Sequence, residues 1–262
     1  MDPEDLLDTL LNTLLELDYE KIIRKRGIMG YNPSGDKIFT FDLEVENIIV
    51  KTLRESGFQG EIRGEERGSY GGDSSKGIVI IDPIDGSSNA YEEIPFYATL
   101  IAYASADHVN DILLGIAHAP ALRKTFWAIK GKGAYLLTNG RKTRISIPPK
   151  IEVTRPLIEA TSTYTLKQAD KINKVGKIRH FGSIGTAVCL AAEGKLVAVI
   201  DIGKRTRIPD IAAPSLIIKE AGGEIVLDVK RPLMPTTRLN FIAGRKDYVE
   251  ILARMLWYKR RK

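Results

Sequence analysis

The stretch Gly77-Ile-Val-Ile-Ile-Asp82-Pro83-Ile84-Asp85-Gly86-Ser87-Ser88-Asn89 constrains this chain more than any other. Four β-branched residues in a row read as a buried strand. The strand delivers two carboxylates, three positions apart, into a turn that Pro83 stiffens and Gly86 allows to close tightly. Both carboxylates can then face one point. The same residue types build ordinary turns, so the motif alone leaves a turn and a site open.

Other acids shift the weighing. Glu65-Glu66 sits between glycines, and Asp210 opens an apolar helix in Pro209-Asp210-Ile-Ala-Ala. All three places are where an α/β-type chain brings loops together at strand ends. Carboxylates within ~4 Å repel by on the order of 4 kcal/mol per pair at an effective dielectric of 20, so such a cluster needs cations. With no Cys or His nearby, all-oxygen ligation points to Mg²⁺, with Mn²⁺ acceptable. Gly86-Ser87-Ser88 can present backbone N–H groups to a phosphate. A metal cluster beside a phosphate cradle implies phosphoester hydrolysis, in which two ions about 3.5 to 4 Å apart clamp attacking and leaving oxygens.

Composition is that of a globular chain. The 262 residues are 44% hydrophobic with a net charge of +6, which suggests anionic partners without choosing among them. The single Cys189 excludes an internal disulfide and points to a reducing, cytoplasmic setting. The longest uncharged stretch, Ile94 to Ala106, is too short to span a membrane, and the acidic start does not resemble a secretion signal. No membrane association is expected.

Leucines at 6, 7, 10, 11, 14, 15 and 17 predict an amphipathic helix over residues 5–20. Residues 27–37 read as loop and 41–54 as a second helix. Strands follow over 78–81, 97–106, 112–119 and 124–129, then a strand pair around Asn139-Gly140. Beyond Pro148-Pro149 the pattern alternates: strand 157–160, helix 166–175, strand 177–181, helix 185–192, strand 197–200, helix 211–221, strand 224–227. The fold class is therefore α+β passing into α/β. An antiparallel sheet is expected in the first half and a mostly parallel one in the second.

These motifs resemble the Mg²⁺-dependent phosphatases of the inositol monophosphatase superfamily. Gly64-Glu65-Glu66, Asp82 to Asn89 and Pro209-Asp210-Ile-Ala-Ala, followed by Glu220-Ala-Gly-Gly, look like three family motifs in the family's order. Pro33-Ser34-Gly35-Asp36 with Phe41-Asp42, and Asp201 to Arg207, are similar to the archaeal branch, whose members often act on both inositol 1-phosphate and fructose 1,6-bisphosphate.

The resemblance implies a layered α-β-α-β-α sandwich. Residues 1–147 would form an α+β subdomain carrying the metal motifs, and 148–262 an α/β subdomain completing the site. It also implies a homodimer and two to three Mg²⁺ per site. Glu65, Asp82 and the carbonyl of Ile84 would hold the first ion and Asp82, Asp85 and Asp210 the second. A third, weaker one would lean on Glu65 with Asp36 closing over it. Ser87, hydrogen-bonded to Asp42, would orient and help deprotonate the attacking water, and Glu66 would support from behind. Gly86 and Ser87 would hold the scissile phosphate, Gly185 and Thr186 would contact the sugar or inositol, and Asp201 would bind ring hydroxyls. The chain departs from the family pattern at Pro209, Pro214 and Ala90, where Trp, Gly and an aromatic are usual. Pro214 is expected in the first turn of its helix.

Lys204, Arg205 and Arg207 form a basic run beside the expected pocket, able to meet a second phosphate, with Tyr164 and Arg179 as further candidates. The expected partner is thus a small phosphorylated sugar or inositol. Two alternatives are a phosphatase for 3′-phosphoadenosine 5′-phosphate and, prompted by the tail Lys259-Arg260-Arg261-Lys262, a non-specific nucleic-acid binder. No nucleic-acid-binding motif supports the latter, and no P-loop is present. Histidines 108, 118 and 180 read as structural or surface residues.

Overall fold

The computed structural model describes residues 1–148, 156–229 and 232–257. The segment just after the expected boundary at 147/148 and the basic tail 259–262 lie outside the described residues. Helix α1 (Pro3–Glu16) is capped by Asp2, which accepts the Glu4 N–H at 2.8 Å. It ends earlier than the leucine spacing predicts. Leu17 is extended, and Asp18 caps a separate short helix α2 (Tyr19–Ile23) by accepting the Lys21 N–H. The expected loop over 27–37 contains most of a hairpin, β1 (Ile28–Tyr31) paired with β2 (Lys37–Phe39), ahead of α3 (Thr40–Glu55).

Next come β3 (Glu61–Gly64), β4 (Gly68–Ser69), β5 (Ile78–Asp85), the short helix α4 (Ser87–Tyr91), β6 (Ala98–Ala104), β7 (Ile112–Ala119), β8 (Lys124–Ile129), β9 (Gly133–Thr138) and β10 (Arg141–Ile145). The eight strands form one sheet in the order β10-β9-β8-β7-β6-β5-β3-β4, antiparallel except where β3 meets β5. The second half contains β11 (Leu157–Ala160), α5 (Thr163–Leu166), α6 (Ala169–Ile172), β12 (Lys177–Arg179), α7 (Ile184–Ala192), β13 (Ala198–Arg207), α8 (Ile208–Glu220), β14 (Glu224–Leu227), β15 (Arg238–Gly244) and α9 (Lys246–Leu256). The single helix expected over 166–175 is two short ones, because Gln168 between them leaves helical angles (φ −100°, ψ 14°).

The second sheet, ordered β12-β11-β13-β15-β14, is mixed rather than mostly parallel. β11 pairs in parallel with β12 and β13, whereas β15 is antiparallel to both of its neighbours, β13 and β14.

Alternation along β5 divides the core. Val79 and Ile81 face α1, α2 and α3 with Leu10, Val45 and Ile49, whereas Ile78 and Ile80 face α7 and α8. The other side of those two helices meets Val199, Phe241 and Ala243 of the second sheet. That sheet's outer face packs Ile158 and Ile242 against Val249 and Leu252 of α9. Five layers result, α-β-α-β-α. α8 lies in the middle, buried from Ile208 to Ile218. Its backbone approaches β7 so closely that a Cβ on Gly115 would stand 2.6 Å from the Ala213 carbonyl oxygen. Because α8 starts at Ile208, Pro214 lies inside the helix and not in its first turn, at the cost of one helical hydrogen bond.

Candidate active site

Three elements converge on a cluster of acids. Asp82 projects from β5, Glu65 from the turn after β3, and Asp210 from the first turn of α8. Their carboxylates each offer an oxygen within 4.8 Å of the others. Local hydrogen bonds explain the placement. The Glu65 N–H donates to the Ile81 carbonyl at 3.0 Å. Glu46 of α3 accepts the Glu66 and Arg67 N–H groups at 3.0 and 3.1 Å and the Tyr70 hydroxyl at 2.6 Å, which braces the turn. Asp210 accepts the Arg207 N–H at 2.6 Å, closing the start of α8.

All three acids are at most 8% exposed. Burial pushes Glu65 up to about 8, Arg207 partly offsetting it. Asp82 is raised by burial and then by Glu65 and Asp85, and Asp210 by burial. Glu66 is pushed up to about 9 by burial and Glu65, and its Oε2 is buried without a hydrogen-bond partner. An oxygen-only donor set, dense in carboxylates and largely buried, fits a hard divalent cation.

Asp85 lines the same cleft as these acids and also has a structural role. It accepts the Ser183 hydroxyl at 2.6 Å and the N–H groups of Ile184, Gly185 and Thr186 at 3.1, 2.6 and 3.3 Å, so it caps α7. Burial, with Asp210, still pushes it up to about 7. Gly185 and Thr186, expected to contact substrate, instead use their backbones to fix this carboxylate. A Cβ on Gly185 would meet Leu100 at 2.4 Å and the Asp85 carboxylate at 3.0 Å.

The Ser87 hydroxyl lies 3.1 Å from Asp42 Oδ1 and 2.8 Å from the Ile84 carbonyl, and donates to one or the other. Asp42, fully buried in the first turn of α3, is raised by burial and then by Glu65. Gly86 turns the chain from β5 into α4 at φ +93°, and a Cβ there would stand 3.1 Å from the Gly182 and Phe96 carbonyl oxygens. Gly86→Ala is expected to cost about 1–2 kcal/mol of backbone strain, beyond the crowding. It should lower the melting temperature and abolish phosphate release, as calorimetry and a phosphate assay would detect.

Glu65, Glu66, Asp82, Asp85, Gly86, Ser87 and Asp210 line a cleft of about 550 Å³, with Asp36, Arg205 and Arg207 on its walls. Other residues expected to meet substrate lie elsewhere. Asp201 is fully buried and organises the irregular part of β13: Oδ1 accepts from Ser162, Thr165 and the Gly203 N–H, and Oδ2 from the Arg205 and Thr206 N–H groups and the Thr206 hydroxyl. Those donors outweigh burial and hold it below the usual carboxylate range. Tyr164, Arg179 and Lys204 do not line the cleft. Arg179 donates to the Ile178 carbonyl, and Lys204 is exposed at φ +52°. Arg207 turns inward: its guanidinium donates to Asp36 Oδ2 at 2.9 Å and to Glu65.

The cleft residues not anticipated include two that can ionise. Glu159, at the end of β11, is 1% exposed, accepts the Phe181 N–H at 3.0 Å and is pushed up to about 7 by burial. His180, half exposed, places Nδ1 3.4 Å from Glu159 Oε1. The available signal was their position at the carboxyl ends of the parallel strands β11 and β12, where open α/β sheets bind ligands. His118, by contrast, is buried against Thr125 and pushed down to about 4 by burial.

The sequence pattern of the inositol monophosphatase family matches residues 18–258. A fructose-1,6-bisphosphatase/inositol-1-monophosphatase of Methanocaldococcus jannaschii is 36% identical over 88% of this chain and 90% of that protein. A bifunctional NADP phosphatase/NAD kinase of Methanococcus maripaludis is 31% identical over 86% of this chain but 43% of its own length. The crystal structure of an inositol monophosphatase-fructose 1,6 bisphosphatase superposes with a TM-score of 0.82 at 32% identity, over 98% of this chain and 99% of that one. The chain therefore belongs to the inositol monophosphatase family and is a phosphatase of that family.

Proposed function

We propose that this chain hydrolyses phosphate monoesters of polyols, inositol 1-phosphate and fructose 1,6-bisphosphate among them, with Mg²⁺, or Mn²⁺ in its place, at two to three ions per site. The observation that carries the reading is the Glu65, Asp82 and Asp210 triangle opening into the same cleft as Ser87, whose hydroxyl lies 3.1 Å from the buried Asp42. The dual name of the archaeal relative supports the substrates.

Glu65, Asp82 and Asp210, with the Ile84 carbonyl and Asp85, would hold the ions. When bound these supply positive charge to the phosphate oxygens and make the attacking water more acidic. The chain's own residues do the rest. Asp42, whose proton affinity is raised by burial, stands 3.1 Å from the Ser87 hydroxyl, and this pair is suited to take a proton from water aligned on phosphorus. Gly86 and Ser87 line the cleft where the scissile phosphate would rest. Arg205 at the rim offers a fork for a second phosphate, and Glu159 with His180 presents acceptors and donors to polyol hydroxyls.

The division into subdomains 1–147 and 148–262, a homodimer and a cytoplasmic setting belong to the same proposal. Buried Cys189 and the lack of any long apolar helix among the described residues are compatible with that setting. A panel of inositol 1-phosphate, fructose 1,6-bisphosphate, 3′-phosphoadenosine 5′-phosphate and NADP tests the substrates. Phosphate release from the first two, only with Mg²⁺ or Mn²⁺ present, is expected. Turnover of fructose 1,6-bisphosphate at background rate would remove it, and preferential release from NADP would move the assignment towards the nucleotide relative.

A further inference from the structure

Arg207 is the residue whose position the function above does not explain. It is the N-cap of α8, two residues after the irregular part of β13, and its side chain is 12% exposed. Its guanidinium bridges two acids from different parts of the chain: Glu65 beside the metal triangle, and Asp36 in the turn of the β1–β2 hairpin. Asp210, Glu65, Asp82 and Asp36 all favour its charged form, which outweighs burial. Asp36 is otherwise more than half exposed, at 58%. The hairpin that carries it exposes Ile28, Met29 and Tyr31, so packing holds that edge weakly.

We propose that Arg207 is a built-in cation of this centre. It occupies the position between Glu65 and Asp36 that a divalent ion would otherwise take, so the native protein binds one ion fewer than its carboxylates allow. The charge argument is direct. A guanidinium paired to both acids neutralises them, repels a divalent ion brought alongside, and cannot leave by losing its proton. Asp82 and Asp210 make no ion pair with Arg207, so their carboxylate oxygens, clustered with one of Glu65, leave room for ions. Arg207 is then a charge-balancing and positioning residue that ties the hairpin turn to the site through Asp36.

This inference rests on reading the acidic triangle as a metal centre, and the experiment separates the two. Mn²⁺ bound per chain is counted by titration calorimetry, and by the loss of the free Mn²⁺ paramagnetic signal, on the full chain at neutral pH. Arg207→Met should bind one more ion per chain than wild type. Arg207→Lys, which keeps a cation, should keep the wild-type count. Combining Arg207→Met with Asp36→Asn should lose the extra ion. Equal counts and affinities in wild type and Arg207→Met would overturn the role of Arg207 while leaving the metal centre standing, as would a gained ion that survives Asp36→Asn. No Mn²⁺ binding by wild type would overturn the metal centre itself. Should Arg207→Met fail to fold, an added ion in Arg207→Lys, which leaves the acids charged and paired, would equally overturn it.

Discussion

Asp82→Asn will lower Mg²⁺-dependent phosphate release by roughly 10²- to 10³-fold, the cost of removing a charge aimed at the reacting group, and will raise the melting temperature of the metal-free protein. The two effects have one cause. Asp82 is 2% exposed within the buried strand β5, and both burial and the neighbouring Glu65, Asp85 and Asp210 disfavour its charge. Asparagine keeps the shape and one carbonyl oxygen but removes the repulsion. A gain of 1 kcal/mol corresponds to about 2–4 °C at this size. Calorimetry in EDTA together with a phosphate assay would check both. A variant that melts lower than wild type in EDTA would show that the cluster is not a store of unfavourable charge.

Without divalent ions, wild type will lose stability as pH rises. Asp85 moves from 3.8 to about 7, Glu65 from 4.5 to about 8 and Glu66 from 4.5 to about 9 on folding, and Glu159 from 4.5 to about 7. The folded state therefore holds protons that the unfolded state has released. The associated stability is fully present below about pH 4 and is lost as pH climbs through about 7 to 9. Mg²⁺ binds the ionised, folded form, so the difference in melting temperature between Mg²⁺ and EDTA will widen over the same window. Thermal scans from about pH 5 to 9 in both conditions measure this. A melting temperature in EDTA that rises steadily across the window would rule it out.

Much of this was legible in the chain. The run Ile78 to Ile81 is a strand because β-branched residues alternate between two apolar faces, but the strand continues through Asp82 to Asp85 and turns only at Gly86, later than the sequence predicts. Hairpin and helix spacing located β7, β8, β9 and β10 closely. The glycine at 86 was legible for the same reason, since a tight turn at positive φ leaves few other choices. β15 and α9 were not assigned. β15 is set by the partners it slides between, β13 and β14, a pairing that no local period encodes.

The sequence by itself pointed to Glu65, Asp82 and Asp210, acids from three separate motifs, as one cluster, because their residue types and flanking turns carry that information locally. Only the tertiary structure decided which way neighbouring side chains turn. It sent Asp201 inward to six donors, engaged Asp85 in capping α7, drew Arg207 into the acids instead of out to a phosphate, and placed Glu159 and His180 at the cleft. Direction at a strand end follows from the charges and donors that distant segments bring alongside. Spacing along the chain contains no record of them.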